Sequence, residues 1–165
     1  MTPVIRPASH ADLPGIFDIY DREVLHGTAT FDTEVKTPEQ RTAWLASHRP
    51  PRHPVLVADE GGFIAGWASL SKWSERCAYA RAVEDSVYVH HDCRGRGIGT
   101  LLMRELIAQA RADGVGVVLA RIVEPNPASI RLHESFGYQT VGLMRRVGEK
   151  FGRILDVRLM DLHLD

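Results

Sequence analysis

The chain reads as an α/β protein of the α+β kind, with a mixed central β-sheet flanked by helices. Three observations predict this. Helical stripes and β-rich runs follow one another along the whole sequence, the pattern of layered helix-and-sheet folds. Two neighbouring β-rich runs are joined by a short glycine turn, a hairpin signal. A long helical stripe leads into a continuous apolar run, as expected of a strand covered on both faces.

Taken in order, Val4-Ile5-Arg6 is a short apolar start, and Ser9 is a good helix cap. Leu13, Ile16, Phe17 and Tyr20 then recur at helical spacing as far as about Leu25. Thr37-Pro38-Glu39-Gln40 opens a second helix, with a Thr cap, Pro at the first helical position and Gln completing a capping box. The loop between them, His26 to Asp32, carries Phe31. Pro54–Ala58 and Phe63–Leu70 form a hairpin about Glu60-Gly61-Gly62, and a further strand runs from about Ala82 to His90. A long helix is predicted from Gly97 to Ala112, with Ile98, Leu102 and Leu106 on one stripe and Gly114 as its stop. The apolar run Gly116–Val123 follows. Asn126-Pro127 opens a helix that Gly137 closes, and Val141–Val147 pairs with Ile154–Leu164 about Glu149-Lys150-Phe151-Gly152. The order is β-α-α-β-β-β-α-β-α-β-β. With no repeat, low-complexity stretch or linker, residues 1–165 read as one domain.

A hydrophobic fraction of 44% and a charged fraction of 25% is the balance of a soluble globular protein. The net charge of -1 excludes the broad basic field that nucleic-acid or anionic-membrane binding uses, so neither partner is expected. Any bound anion must be gripped locally. The N-terminal stretch has charges and no apolar core segment, so no secretory leader is expected, and no apolar run approaches a membrane span. Two cysteines, Cys77 and Cys93, do not make a disulfide framework and suit a reducing cytoplasm.

The segment Arg94-Gly95-Arg96-Gly97-Ile98-Gly99-Thr100 follows a predicted strand and opens the long helix. Glycines there let the backbone turn tightly, so that successive N–H groups point at one spot. The helix N-terminus adds its positive end, and such a place suits phosphate oxygens. Arg94 and Arg96 put mobile positive charge around the same anion. A P-loop would need a lysine before Thr100, and the spacing and mid-chain position do not fit the dinucleotide fingerprint. Glycines serving only a tight turn would leave the two interleaved arginines without a purpose.

Arg94-x-x-Gly97-x-Gly99 resembles the Q/R-x-x-G-x-G/A signature of the GNAT superfamily of N-acetyltransferases, whose loop holds the pyrophosphate of acetyl-CoA. The order of elements is similar too. Val83–Val89, Asn126–Glu134, Gly148–Arg153 and Asp156-Val157 resemble the phosphinothricin and methionine sulfoximine N-acetyltransferase branch, as do Thr28–Phe31 and Trp73–Tyr79. The likeness covers nearly the whole chain. It implies a GNAT fold, acetyl-CoA as co-substrate, no metal, and direct acetyl transfer to the amino group of a small amino-acid-like acceptor. Phosphinothricin, methionine sulfoximine and methionine sulfone are the acceptors the branch suggests, and relatives suggest a homodimer. A peptide N-terminus, a polyamine or an aminoglycoside as acceptor, and a non-catalytic acyl-CoA-binding module, are the competing readings.

The resemblance also implies roles for residues. Acetyl transfer to an ammonium needs a base, directly or through water. Glu84 is the candidate, on the strand before the phosphate loop. Alternation puts Glu84, Ser86 and Tyr88 on one face of that strand and Asp85, Val87 and Val89 on the other. The backbone of Val87, Tyr88 and Val89 would bond the pantetheine arm. The loop Arg94, Gly95, Arg96, Gly97, Ile98, Gly99 and Thr100 would hold the pyrophosphate, with Asn126 and Ser135 reaching the CoA arm; Asn126 is also a natural helix cap. His133 stands where many GNAT enzymes carry a tyrosine that protonates the leaving thiolate, so it is either an acid near neutral pH or a structural histidine. Acceptor binding would fall to Phe31, Trp73, Ser74, Glu75, Arg76, Tyr79, Glu84, Asp85 and Ser86. Within that set Arg76 is either a carboxylate clamp or a loop arginine, and Phe31 acts within the chain or across a dimer. His90-His91-Asp92-Cys93 looks like a metal cluster, but adjacent residues at a strand end are expected to point apart.

Overall fold

A computed structural model describes residues 1–165. The strands are β1 (Val4–Pro7), β2 (Val55–Glu60), β3 (Phe63–Lys72), β4 (Ala82–Val89), β5 (Val117–Val123), β6 (Gln139–Lys150) and β7 (Arg153–His163). The helices are α1 (Leu13–His26), α2 (Pro38–Ser47), α3 (Ile98–Ala112) and α4 (Pro127–Ser135). The α+β class and the order of elements are as the sequence predicts. Strand ends differ by a few residues, most at β6, which begins two residues before Val141 and runs to Lys150.

All the strands join one mixed sheet in the order β1-β2-β3-β4-β5-β7-β6. Every neighbouring pair is antiparallel except β4–β5. The helices cover both faces. On one, Leu13, Ile16, Phe17 and Ile19 of α1 pack against Val55, Val57, Ile64 and Trp67, with Trp44 and Leu45 of α2 at the edge. On the other, the stripe Ile98, Leu102, Met103 and Leu106 of α3 packs against Leu56, Ala65, Ala68 and Leu70. Ile130 and Leu132 of α4 lean on the same cluster. Full burial of one such aliphatic side chain contributes about 1.5–3 kcal/mol, so the α3 stripe is the main anchor of this layer.

Local chemistry explains the helix starts. Thr37 accepts from the Gln40 N–H at 3.2 Å while Gln40 returns a bond to the Thr37 N–H at 2.9 Å, the reciprocal capping box the sequence predicts. Asn126 accepts from the Ser129 N–H at 3.1 Å and so starts α4.

The feature that makes the site is a failure of pairing. β4 and β5 are joined only at Ala82↔Val117, Val83↔Val118 and Glu84↔Leu119. Beyond Glu84 the two strands diverge. The β5-facing backbone edge of Asp85–Val89 therefore has no ladder partner, while the opposite edge stays paired to β3. On β5, Val118, Ala120 and Ile122 remain in the core, but Arg121 emerges exposed. The reading of Gly116–Val123 as buried on both faces is thereby corrected at Arg121, which is exposed past the divergence, while Val123 on the same face is buried with Leu155 and Val157.

Candidate active site

The diverging strands enclose a cleft of about 840 Å³, lined along β4 by Glu84 to Val89 and along β5 by Arg121 to Val123. Its other walls are the α1–α2 loop from Thr28 to Phe31, Arg94, Asn126, Ser129 and His133, and Met144 and Val147 of β6. The last two reach it through an irregularity in β6. Between the pairs Met144↔Val157 and Gly148↔Leu155 the strand bulges, and Arg146 sits at φ 58° with its N–H bonded to Asp156 at 2.7 Å.

At one end lies the glycine loop. Gly95 (φ 74°) and Gly97 (φ 79°) adopt left-handed backbone that glycine tolerates without strain. A Cβ at either would meet nothing within 4 Å, so the loop is an open cradle at the N-terminus of α3. Arg94 lies beside it in the cleft wall and donates to Glu23 of α1 at 2.6 Å. Arg96 is paired with Glu60 at 2.5 Å. The Arg94 side chain is 59% exposed and that of Arg96 42%, so both can turn to an anion.

At the fork of the strands stands Glu84, with a side chain only 18% exposed. Arg121 donates to both of its carboxylate oxygens, Nε to Oε1 and Nη2 to Oε2, each at 2.6 Å. The guanidinium also lies over the ring of Trp73, 5.3 Å from its centroid.

Between these ends is a buried polar cluster. His133 is 4% exposed; its Nδ1 lies 2.7 Å from the Ser129 carbonyl and its Nε2 3.3 Å from Asp85 Oδ1. Tyr138 donates to Asp85 Oδ2 at 2.6 Å. Burial works against a charged imidazole, but the hydrogen bond and charge of Asp85, with the Ser129 carbonyl, outweigh it and hold His133 above the ordinary histidine value. Both ring nitrogens thus face acceptors, and the imidazolium is the form that satisfies both. Burial likewise pushes the Tyr88 phenol far above its usual range, leaving it a neutral donor, 3.3 Å from the Ala29 carbonyl.

The geometry has counterparts. Residues 15–138 match the model of the acetyltransferase (GNAT) family. The chain belongs to the GNAT family of acetyltransferases. A methionine sulfoximine and methionine sulfone acetyltransferase of Pseudomonas aeruginosa is 42% identical to it, over 100% of this chain and 96% of that protein. An acetyltransferase of Salmonella typhimurium, solved with its cofactor acetyl-CoA, superposes with a TM-score of 0.95 at 40% identity, over 100% of this chain and 95% of that one. A phosphinothricin acetyltransferase of Sinorhizobium meliloti, solved with the same cofactor, gives 0.94 at 37% identity, over 99% and 89%. The GNAT reading of the sequence, the fold and the use of acetyl-CoA are borne out.

The residues singled out in the sequence divide into two groups within this GNAT structure. The cleft gathers Phe31, Glu84, Asp85, Ser86, Val87, Tyr88, Val89, Arg94, Asn126 and His133. Phe31 does so within its own chain, its ring seated on Gly148, where a Cβ would collide with it. Glu84, Ser86 and Tyr88 share one face of β4 and Asp85, Val87 and Val89 the other, as alternation predicts: Tyr88 packs on Trp67 under α1, and Val87 and Val89 lean on the α3 cluster. Trp73, Ser74, Glu75, Arg76 and Tyr79 are not in the cleft wall; Arg76 and Tyr79 are exposed on the connection between β3 and β4. Ser135 is also outside, its hydroxyl donating to the Leu132 carbonyl at 2.6 Å. Ile98 is core, while Gly99 packs closely on Leu132 and Val89.

Two residues were not foreseen. Arg121 brings the cation to the fork that Arg76 does not. Lys150, 4% exposed, donates to the Glu23 carbonyl at 3.0 Å and the Thr30 carbonyl at 2.9 Å, pinning the α1–α2 loop to the β6–β7 hairpin. Burial lowers its pKa against the pull of Glu23 and Asp32. A charged residue inside an apolar strand run was the available signal for Arg121. The expectation about His90, His91 and Asp92 is also corrected. They form a 3-10 turn rather than an extended strand end, and their donor atoms come within 4.8 Å of one another. His90 Nδ1 there accepts from the Asp92 N–H at 3.2 Å and Nε2 faces Asp18 at 3.5 Å, so both ring nitrogens are engaged by the protein.

Proposed function

We propose that this GNAT enzyme acetylates the α-amino group of small free amino acids and their analogues, with methionine sulfone, methionine sulfoximine and phosphinothricin as test acceptors. The observation that carries the reading is the placement of Glu84: a carboxylate at the fork of β4 and β5, in the cleft that Arg94, at the start of the open glycine cradle, also lines. The names of the full-length relatives support the acceptor class.

Acetyl-CoA supplies an activated thioester. Gly95 to Thr100, with Arg94 and Arg96, would hold its pyrophosphate, and the unpaired edge of Val87, Tyr88 and Val89 would bond its arm. A donor on that edge also stabilises charge developing on the reacting carbonyl oxygen. Glu84 keeps lone pairs free of Arg121 and takes the ammonium proton, directly or through water. His133 would act differently from the tyrosine of other GNAT enzymes. Releasing its proton would break the bond to Asp85 or to Ser129, and a thiol is acidic enough to leave as thiolate without a dedicated acid. We assign it to fixing α4 and Asp85 against the cleft.

The test follows free thiol released from acetyl-CoA with the three analogues, a polyamine, an aminoglycoside and a peptide. Selective turnover of the analogues is expected; turnover confined to the polyamine, aminoglycoside or peptide overturns the acceptor assignment.

The remaining assignments belong to the same proposal. Residues 1–165 form a single catalytic domain. Two copies associate through the β6–β7 hairpin, where Val141, Leu143, Val147, Phe151 and Ile154 are 46–56% exposed, an apolar surface larger than isolated side chains explain. A monomeric mass in solution would overturn this. Free thiols at Cys77 and Cys93 fit a reducing cytoplasm, and no helix is long and apolar enough to cross a membrane.

A further inference from the structure

We infer that the Glu84–Arg121 pair is a recognition device for a zwitterion, Arg121 reading the carboxylate of the acceptor while Glu84 takes its ammonium. This rests on the proposed amino-acid acceptor and deepens it, by naming the residue that tells a free amino acid from any other amine.

The argument begins with unused donors. A guanidinium has five N–H groups in a planar fork. Nε and one N–H of Nη2 go to Glu84, which leaves both hydrogens of Nη1 and the second of Nη2 without a protein partner. Two of those, one on each Nη, lie on the end of the fork, the edge that meets a carboxylate by two parallel bonds. That edge is not buried: the Arg121 side chain is 51% exposed and lines the cleft. Trp73 beneath the guanidinium and Glu84 beside it fix the plane in which the edge is offered.

Glu84 supplies the complement. Each carboxylate oxygen accepts about two hydrogen bonds, and Arg121 takes one on each. An ammonium can therefore sit against Glu84 without displacing Arg121. In an α-amino acid the ammonium and carboxylate are separated by one carbon, so opposite charges lie side by side, as they do in the pair.

The other charged groups of the cleft do not compete. Asp85 and His133 hold each other, and Arg94 is paired with Glu23 beside the glycine loop. Arg121 is thus the cation nearest the proposed base. A polyamine would bring a second positive charge towards Arg121, and a peptide N-terminus would bring a neutral amide in place of the carboxylate. Both are disfavoured by unpaired or like-charged groups, the way a polar site rejects the wrong ligand.

The test compares methionine sulfone with its carboxamide in the wild type, Arg121→Met and Arg121→Lys, under saturating acetyl-CoA. The wild type is expected to prefer the free acid by roughly 10- to 100-fold in kcat/KM, the range of a charge-assisted bond pair. Arg121→Met should raise KM for the acid and bring the two acceptors within about threefold of one another. Arg121→Lys should keep the preference in part, since charge remains but the fork is lost. Unchanged acetyl-CoA affinity shows that the variants are folded. An acid-to-carboxamide ratio in Arg121→Met equal to that of the wild type would overturn the inference. Failure of the underlying reading is seen separately, in a wild type that acetylates other amines and no amino acid.

Discussion

Two arginine–glutamate pairs line the cleft, and they are built differently. Arg94 makes a single bond to Glu23, and its guanidinium is 59% exposed. Arg121 grips both oxygens of Glu84 and is stacked on Trp73. The first is a single-bond latch on an exposed side chain next to a backbone cradle. It parks a charge beside the cradle by one bond, from which an arriving phosphate could draw it. The second is a fixed fitting whose residual hydrogen-bonding capacity faces the cleft. The same two residue types thus serve a site that must exchange partners and a site that must hold a geometry.

The largest test of that contrast is Glu84→Gln. Losing the proposed base should lower kcat by about 10²- to 10⁴-fold while acetyl-CoA affinity, read by calorimetry, stays within error. Undiminished kcat would reduce Glu84 to a support for Arg121. Arg94→Ala should act at the other end only. Loss of a charge-assisted contact is expected to raise KM for acetyl-CoA about tenfold, with KM for the acceptor unchanged. Equal effects on both substrates would break the division of the cleft into two ends.

The smallest expected effect concerns the buried cluster between them. His133 is held above its ordinary value, so it binds its proton more tightly folded than unfolded. Its contribution to stability is complete below the unfolded value of about 6.5 and is lost as pH rises through the folded value. The melting temperature should therefore fall by a few degrees across that window. His133→Asn should flatten the decline; an unchanged profile would show that the histidine is neutral in the fold.

Much of this was legible in the sequence because it is local. Thr37 with Gln40, Asn126 with Pro127, and the glycines at 61–62 and 114 announce caps and turns through their own backbone chemistry, and each stands where expected. The glycine loop was legible for the same reason. Arg121 was not. Its strand reads as an apolar run, and whether a side chain there is core or cleft depends on β4 turning away, a tertiary event with no local mark. The same holds for Arg76, which is three residues from Trp73 in sequence but faces solvent, and for Lys150, whose partners lie more than a hundred residues away. His133 sat in a motif that suggested chemistry. Its two acceptors, one on its own helix and one on β4, support the structural task proposed above.

The three rungs between β4 and β5 have a mechanical consequence. A sheet is normally a continuous fabric, and here β1–β4 and β5–β7 are sewn together along a short seam. An elongated partner with hydrogen-bonding groups along its length, laid against the free edge of β4, would act as the missing thread. Occupancy and the integrity of the sheet then become one variable, so that loading the enzyme should slow amide exchange in Asp85–Val89 more than anywhere else in the chain.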